Sequence, residues 1–116
     1  MLIDGGTRLS PAARSLLFDP EQRLVTSVIS LWEIAIKTRS GKLAMVVSPD
    51  QLAGKLADLG IETLPLALAH SVSDPQLPIA LKDPFDRMFV AVAEYEKIPY
   101  LTTDAKLLDH PLAWRP

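Results

Sequence analysis

Asp83-Pro84-Phe85-Asp86-Arg87-Met88-Phe89-Val90-Ala91-Val92 leads, a few residues on, into Ile98-Pro99-Tyr100-Leu101-Thr102-Thr103-Asp104. The first stretch reads as a helix start. Asp83 is a good N-cap, Pro84 suits the first helical position, and Phe85, Met88, Phe89 and Val92 recur at helical spacing. The second reads as a strand over Ile98 to Thr102, running into Asp104 as the cap of a short helix over Ala105 to Leu108. A helix that feeds a strand that feeds a helix is the repeating unit of an α/β layer.

The same alternation extends upstream. Leu24-Val25-Thr26 reads as a strand. Ser27 or Ser30 then starts an amphipathic helix carrying Val28, Leu31, Trp32 and Ala35, with Lys37 and Arg39 in its last turn and Gly41 as its stop. Before it, Ser10-Pro11-Ala12-Ala13 opens a helix to about Phe18, ended by Asp19-Pro20. After it, Ser48-Pro49-Asp50-Gln51 reads as a capping box, followed by Leu52, Leu56 and Leu59 on one face and by Gly60. Ile61 to Leu66 alternates as a strand, Ala67 to Val72 forms a short helix, and residues 74–82 form a loop. The tail from His110 is irregular apart from a strand around Leu112 to Trp114. The expected fold is α/β, one domain over residues 1–116, with a mostly parallel central sheet and helices on both faces.

Composition narrows the chemistry. The 116 residues include no cysteine, so disulfide scaffolds and thiolate metal sites are excluded and a reducing cytoplasm is expected. Net charge is -2, so a nucleic-acid partner would need a local patch or a bound cation. No apolar run suits a membrane span, and no export signal is visible. Gly5-Gly6 lacks a following lysine motif, which counts against the weaker reading of a phosphotransfer or receiver-like domain.

Ligands of open α/β sheets bind beyond the carboxyl ends of the strands. Glu33, Asp86 and Asp104 all sit in or just before helices that follow strands, so the three carboxylates can converge at that edge. Clustered carboxylates repel unless a cation neutralises them, and oxygen donors favour magnesium or manganese. Such an ion polarises a phosphate and lowers the pKa of a bound water, which is the chemistry of phosphodiester hydrolysis.

Each acid also has a structural explanation. Ser30 to Glu33 matches a capping box, and Glu33 with Lys37 is a stabilising (i, i+4) pair. Asp86 suits the helix dipole, and Asp104 is an ordinary N-cap. His70 reads as a surface residue and His110 as a residue of the tail. Trp32 and Phe85 read as core rather than base-stacking platforms, and Lys37, Arg39 and Lys42 as a solvated face.

Three segments together resemble the PIN-domain, VapC-like ribonucleases of type II toxin–antitoxin systems. They are Arg8 to Arg14, Val25 to Lys37 with its Ser-x-Trp-Glu-Ile-Ala-x-Lys pattern, and Asp83 to Arg87 together with Leu101 to Asp104. The resemblance spans nearly the whole chain. It implies a PIN-like fold and magnesium- or manganese-dependent endoribonuclease activity. It further implies a cytoplasmic toxin, an RNA substrate, a cognate antitoxin partner and a homodimer. Residue by residue it makes Glu33, Asp86 and Asp104 catalytic and metal-binding, Arg87 and Lys37 substrate contacts, and Asp83 a cap first.

The chain departs from this family at its beginning. Relatives open with a strand ending in an aspartate, followed by a Leu- and Trp-rich helix. Here the first strand reads as missing or displaced, and with it the first acid. Met1-Leu2-Ile3-Asp4 allows two readings: the tail of that helix, or a shortened strand with Asp4 as the acid. The first is favoured, because Asp4-Gly5-Gly6-Thr7 flows into Arg8-Leu9-Ser10 as the family's loop does. It would leave a gap of two strand spacings, ~9.5 Å, inside the sheet. Relatives also often carry histidine where this chain has Leu81-Lys82, and glutamine where it has Val92. A catalytically attenuated module that still holds an antitoxin or dimerises is the alternative function.

Overall fold

Leu2–Ile3 is a β-strand, β1, and it lies inside the sheet. The computed structural model describes residues 1–4, 11–44, 47–78, 82–102 and 104–114. β1 runs parallel to β2 (Val25–Ser27) on one side and to β4 (Tyr100–Leu101) on the other. Leu2 pairs with both Val25 and Tyr100, and Ile3 pairs with Leu101. The Leu2 and Asp4 amides donate to Pro99 and Leu101 carbonyls at 2.8 and 2.9 Å, and the Val25 amide donates to the Met1 carbonyl at 3.0 Å. The favoured reading of the first residues is thereby overturned: they are the shortened strand, not a helix tail, and no gap is left between β2 and β4. Local pattern could not decide this, because two apolar residues show no periodicity. Backbone pairing on both sides decides it.

The remaining elements follow the expected alternation. They are α1 (Pro11–Leu17), α2 (Val28–Arg39), α3 (Pro49–Asp58), β3 (Glu62–Leu64), α4 (Leu68–Val72) and α5 (Pro84–Glu96). A single 3-10 turn over Ala105–Leu107 follows β4. The four strands are all parallel, in the order β3-β2-β1-β4, and helices flank them. The strands are shorter than their apolar runs because each is paired only where its short neighbours reach. In the tail, only Ala113 bridges to Tyr100.

Helix starts differ in detail from their sequence signals. Ser27 caps α2, its hydroxyl accepting the Ile29 amide at 3.1 Å, so Ser30 is a buried interior residue and Glu33 is not part of a capping box. Ser48 precedes α3 without a side-chain cap bond, so the expected box is absent there too. α3 buries no residue, and Leu59 is 76% exposed, so this helix packs peripherally. Asp83 caps α5 through the Phe85 and Asp86 amides, as its sequence predicts. The expected cap at Ser10 and the Gly5-Gly6 loop lie outside the described residues.

The core forms where β1, β4 and α5 meet. Leu2, Val90, Val92, Ala93 and Tyr100 are fully buried, with Val25, Ile29, Phe89 and Leu107 around them. Complete burial of a side chain the size of Leu2 contributes about 2 kcal/mol. Phe89 meets Tyr100 edge to face at 5.2 Å, and the Tyr100 hydroxyl donates to the Leu107 carbonyl, tying the turn after β4 to the core. Trp32 is 56% exposed and rests its ring against Phe85 at 5.3 Å, so it is not the core residue expected.

His70 corrects another expectation: it is 2% exposed. Its Nδ1 accepts the Ala67 amide at 2.9 Å and its Nε2 meets Glu96 at 2.9 Å. His110 repeats the arrangement, with Nδ1 accepting the Leu112 amide and Nε2 meeting Glu94 at 2.8 Å. The end of α5 thus holds both α4 and the tail. Neither contact was visible in sequence, because the partners lie 26 and 16 positions away.

Candidate metal centre

The strand order places a topological switch between β1 and β4. From β1 the chain moves outward through β2 to β3, then returns to the far side of β1. Connections therefore leave β1 and β4 in opposite directions, opening a crevice at their carboxyl ends. Asp4 follows β1 at this point, and Thr102 and Asp104 follow β4.

Thr102 joins the two strand ends. Its hydroxyl donates to Asp4 Oδ2 at 2.7 Å and accepts the Asp104 amide at 3.0 Å. Asp104 Oδ1 then accepts the Lys106 amide at 3.0 Å, capping the 3-10 turn. Asp86 enters from the first turn of α5 and is buried. Glu33 enters from α2, mostly buried and paired with Lys37 at 2.8 Å.

The charges of these groups act on one another. Burial raises the Asp4 carboxyl to about 6; the Thr102 hydrogen bond opposes that rise, and the charges of Glu33, Asp86 and Asp104 add to it. Burial also raises Asp86, with Asp83 adding and Lys106 opposing. Lys37 is raised first by its hydrogen bond to Glu33, then by the charges of Glu33, Asp83 and Asp4. Of the expected site residues, Glu33, Lys37, Asp86 and Asp104 come together around Asp4. Arg87 does not join them in the same way: it pairs with Asp74 at 3.7 Å and lines a cavity with His70 and Ser73 beside α4.

Two residues of this cluster escaped the expected site. Asp4 was set aside with the helix-tail reading. Lys106 lies inside the 3-10 turn that Asp104 caps, and only the fold brings it to Asp86. Its ammonium lies 3.5 Å from Asp86 Oδ2 and 3.6 Å from Asp104 Oδ2.

Among the described residues, no three acidic or histidine side chains stand in the arrangement of an ion's ligand set. The donor chemistry nevertheless fits a hard cation. Every donor is a carboxylate or hydroxyl oxygen, as magnesium and manganese prefer. Asp86 Oδ2 is buried without a hydrogen bond, since the Lys106 ammonium stands at ion-pair and not hydrogen-bond distance. A buried carboxylate oxygen in that state is costly unless a proton or a cation meets it.

The family model of the PIN domain matches residues 3–111, a span that includes Asp4, Glu33, Asp86 and Asp104. The chain belongs to the PIN-domain family. The expected family and the α/β, PIN-like fold are therefore both correct. PIN domains are, as a class, nucleases that typically depend on divalent metal and bind RNA. Comparison with curated proteins gives no match to this chain. Among the described residues of this PIN domain, no helix is long and apolar enough to cross a membrane.

Proposed function

We propose that the chain is a metal-dependent endoribonuclease, the cytoplasmic toxin of a type II toxin–antitoxin pair, and that Asp4, Glu33, Asp86 and Asp104 form its active site. The observation that carries this reading is the buried, unbonded Asp86 Oδ2 at the strand-order switch, facing Asp104 across one ammonium. Asp86 and Asp104 would hold a magnesium or manganese ion, with Asp4 and Glu33 completing the negative set. The ion, when bound, supplies Lewis acidity at a phosphate oxygen and neutralises the charge that develops there.

The chain's own residues supply position. The Thr102 hydroxyl fixes Asp4 relative to Asp104, so the carboxylates after β1 and β4 keep one spacing. Lys37 is half-exposed and can exchange Glu33 for an RNA phosphate. Arg87, paired with Asp74, can do the same further along α5. The overall negative charge is then no obstacle, because the cation and these side chains provide the local attraction for a polyanion.

An apolar stripe on α2, Val28, Trp32 and Ile36, stands exposed at helical spacing and supports an antitoxin or a second copy as partner. The test is RNA cleavage by the recombinant chain with magnesium or manganese, beside Asp86→Asn and a chelator control. Cleavage that both controls abolish supports the proposal. Metal-independent cleavage, or none at all, sinks it.

A second reading keeps the fold and drops the chemistry. The absence of a formed three-acid ligand set among the described residues favours an attenuated module that holds an antitoxin or dimerises. Such a module gains no thermal stability from millimolar metal, whereas a metal-binding site does.

A further inference from the structure

We infer that Lys106 is the resident counter-ion of the Asp86–Asp104 oxygen pair, and that a divalent cation binds only by displacing its ammonium. The inference rests on the metal-site reading above and goes beyond it by assigning a residue that opposes metal.

The oxygens identify the competition. Asp104 Oδ1 is committed to the Lys106 amide, which leaves Oδ2 for a cation. Asp86 Oδ2 has no hydrogen bond. These same two oxygens face the Lys106 ammonium, at 3.6 and 3.5 Å. A divalent cation held by these carboxylates would need the oxygens that the ammonium now faces. Two cations cannot share them, so one must leave.

Lys106 is built to be the one that leaves. Both contacts are longer than a good charge-assisted hydrogen bond, and the side chain is mostly exposed on a flexible stem. It stands inside the short 3-10 segment capped by Asp104, which holds it beside that carboxylate. The carboxylates alone attract it there. With the ion absent, it screens Asp86 and Asp104 from each other. With an ion bound, like charge would drive the ammonium away on its flexible stem.

Calorimetric titration of the full chain with manganese tests this, comparing wild type with Lys106→Met, Lys106→Gln and Asp86→Asn, alongside melting temperatures without metal. Both Lys106 variants are expected to bind manganese on the order of tenfold tighter, the scale of removing one like charge a few ångströms from the ion. Their metal-free melting temperature falls, because the acids lose their screen. Unchanged or weaker binding in the Lys106 variants, with binding lost in Asp86→Asn, overturns the counter-ion role and leaves the metal site intact. No binding in any of the four proteins overturns both.

Discussion

Thr102 Oγ1 donates to Asp4 Oδ2 at 2.7 Å across 98 positions of sequence, and the same oxygen accepts the Asp104 amide. One hydroxyl thus couples the ends of the two strands that flank the crevice. Thr102→Val keeps the shape and removes both bonds. It is expected to lower stability by about 1–2 kcal/mol, because Asp4 and the Asp104 amide lose their shared partner. Urea unfolding measures it, and Thr102→Ser, which keeps the hydroxyl, should recover most of the loss.

Asp4 sets a pH dependence whose sign is fixed. The carboxyl titrates near 3.8 in an unfolded chain and at about 6 in the fold. Between those values the folded protein holds the proton more tightly than the unfolded chain does. Stability of the metal-free protein therefore falls as pH rises through that window, and the loss is complete above it. Asp4→Asn keeps an acceptor for Thr102 and removes the charge. It should flatten this decline and raise metal-free stability at pH 7.5 by about 1–3 kcal/mol. Unfolding titrations at several pH values would show it; an Asn variant less stable than wild type at pH 7.5 contradicts the placement of Asp4 among the other acids. A substitution that stabilises the fold while abolishing cleavage would mark Asp4 as kept for chemistry.

Leu2 and Leu59 separate interior from periphery. Leu2 is fully buried between two strands, while Leu59 is 76% exposed at the end of α3. Leu2→Ala is expected to cost about 2–4 kcal/mol, and Leu59→Ala within about 0.5 kcal/mol of nothing. Equal effects in chemical denaturation would put Leu2 outside the sheet.

His110 anchors the tail through two bonds, one to Glu94 and one from the Leu112 amide. His110→Ala leaves the partly buried Leu112 amide without its partner and Glu94 with the Gln76 amide alone, and should cost about 1–3 kcal/mol. Amide exchange should report it locally, with protection lost first at Leu112 and at Trp114, whose amide donates to the Tyr100 carbonyl at 2.8 Å. Uniform loss of protection across α5 would instead point to global unfolding.

Most of the architecture was legible because it rests on local signals. Periodicity exposed α2 and α5, proline and capping residues marked their starts, and alternation implied a parallel sheet. Glu33, Asp86 and Asp104 were singled out because helix starts near strand ends can share one sheet edge. β1 was not, since two residues carry no period and their partners lie 23 and 98 positions away in sequence. Trp32 and His70 exchanged their expected environments for a related reason. Burial depends on what packs across from a helix face, and sequence pattern gives the face but not its neighbour. Lys106 stood outside the expected site because nothing in its local spacing ties it to Asp86.

The interior position of β1 has a consequence during synthesis. Among the described strands β1 is made before the others, while Tyr100–Leu101, which covers one of its edges, is made after them. Bringing distant segments together is slow, and it cannot begin until the later segment exists. Asp4 therefore leaves the ribosome long before Asp86, Thr102 and Asp104, and the nascent chain carries an open sheet edge and a dispersed set of acids. The acids proposed as the active site therefore cannot meet until the last of the described strands has been made.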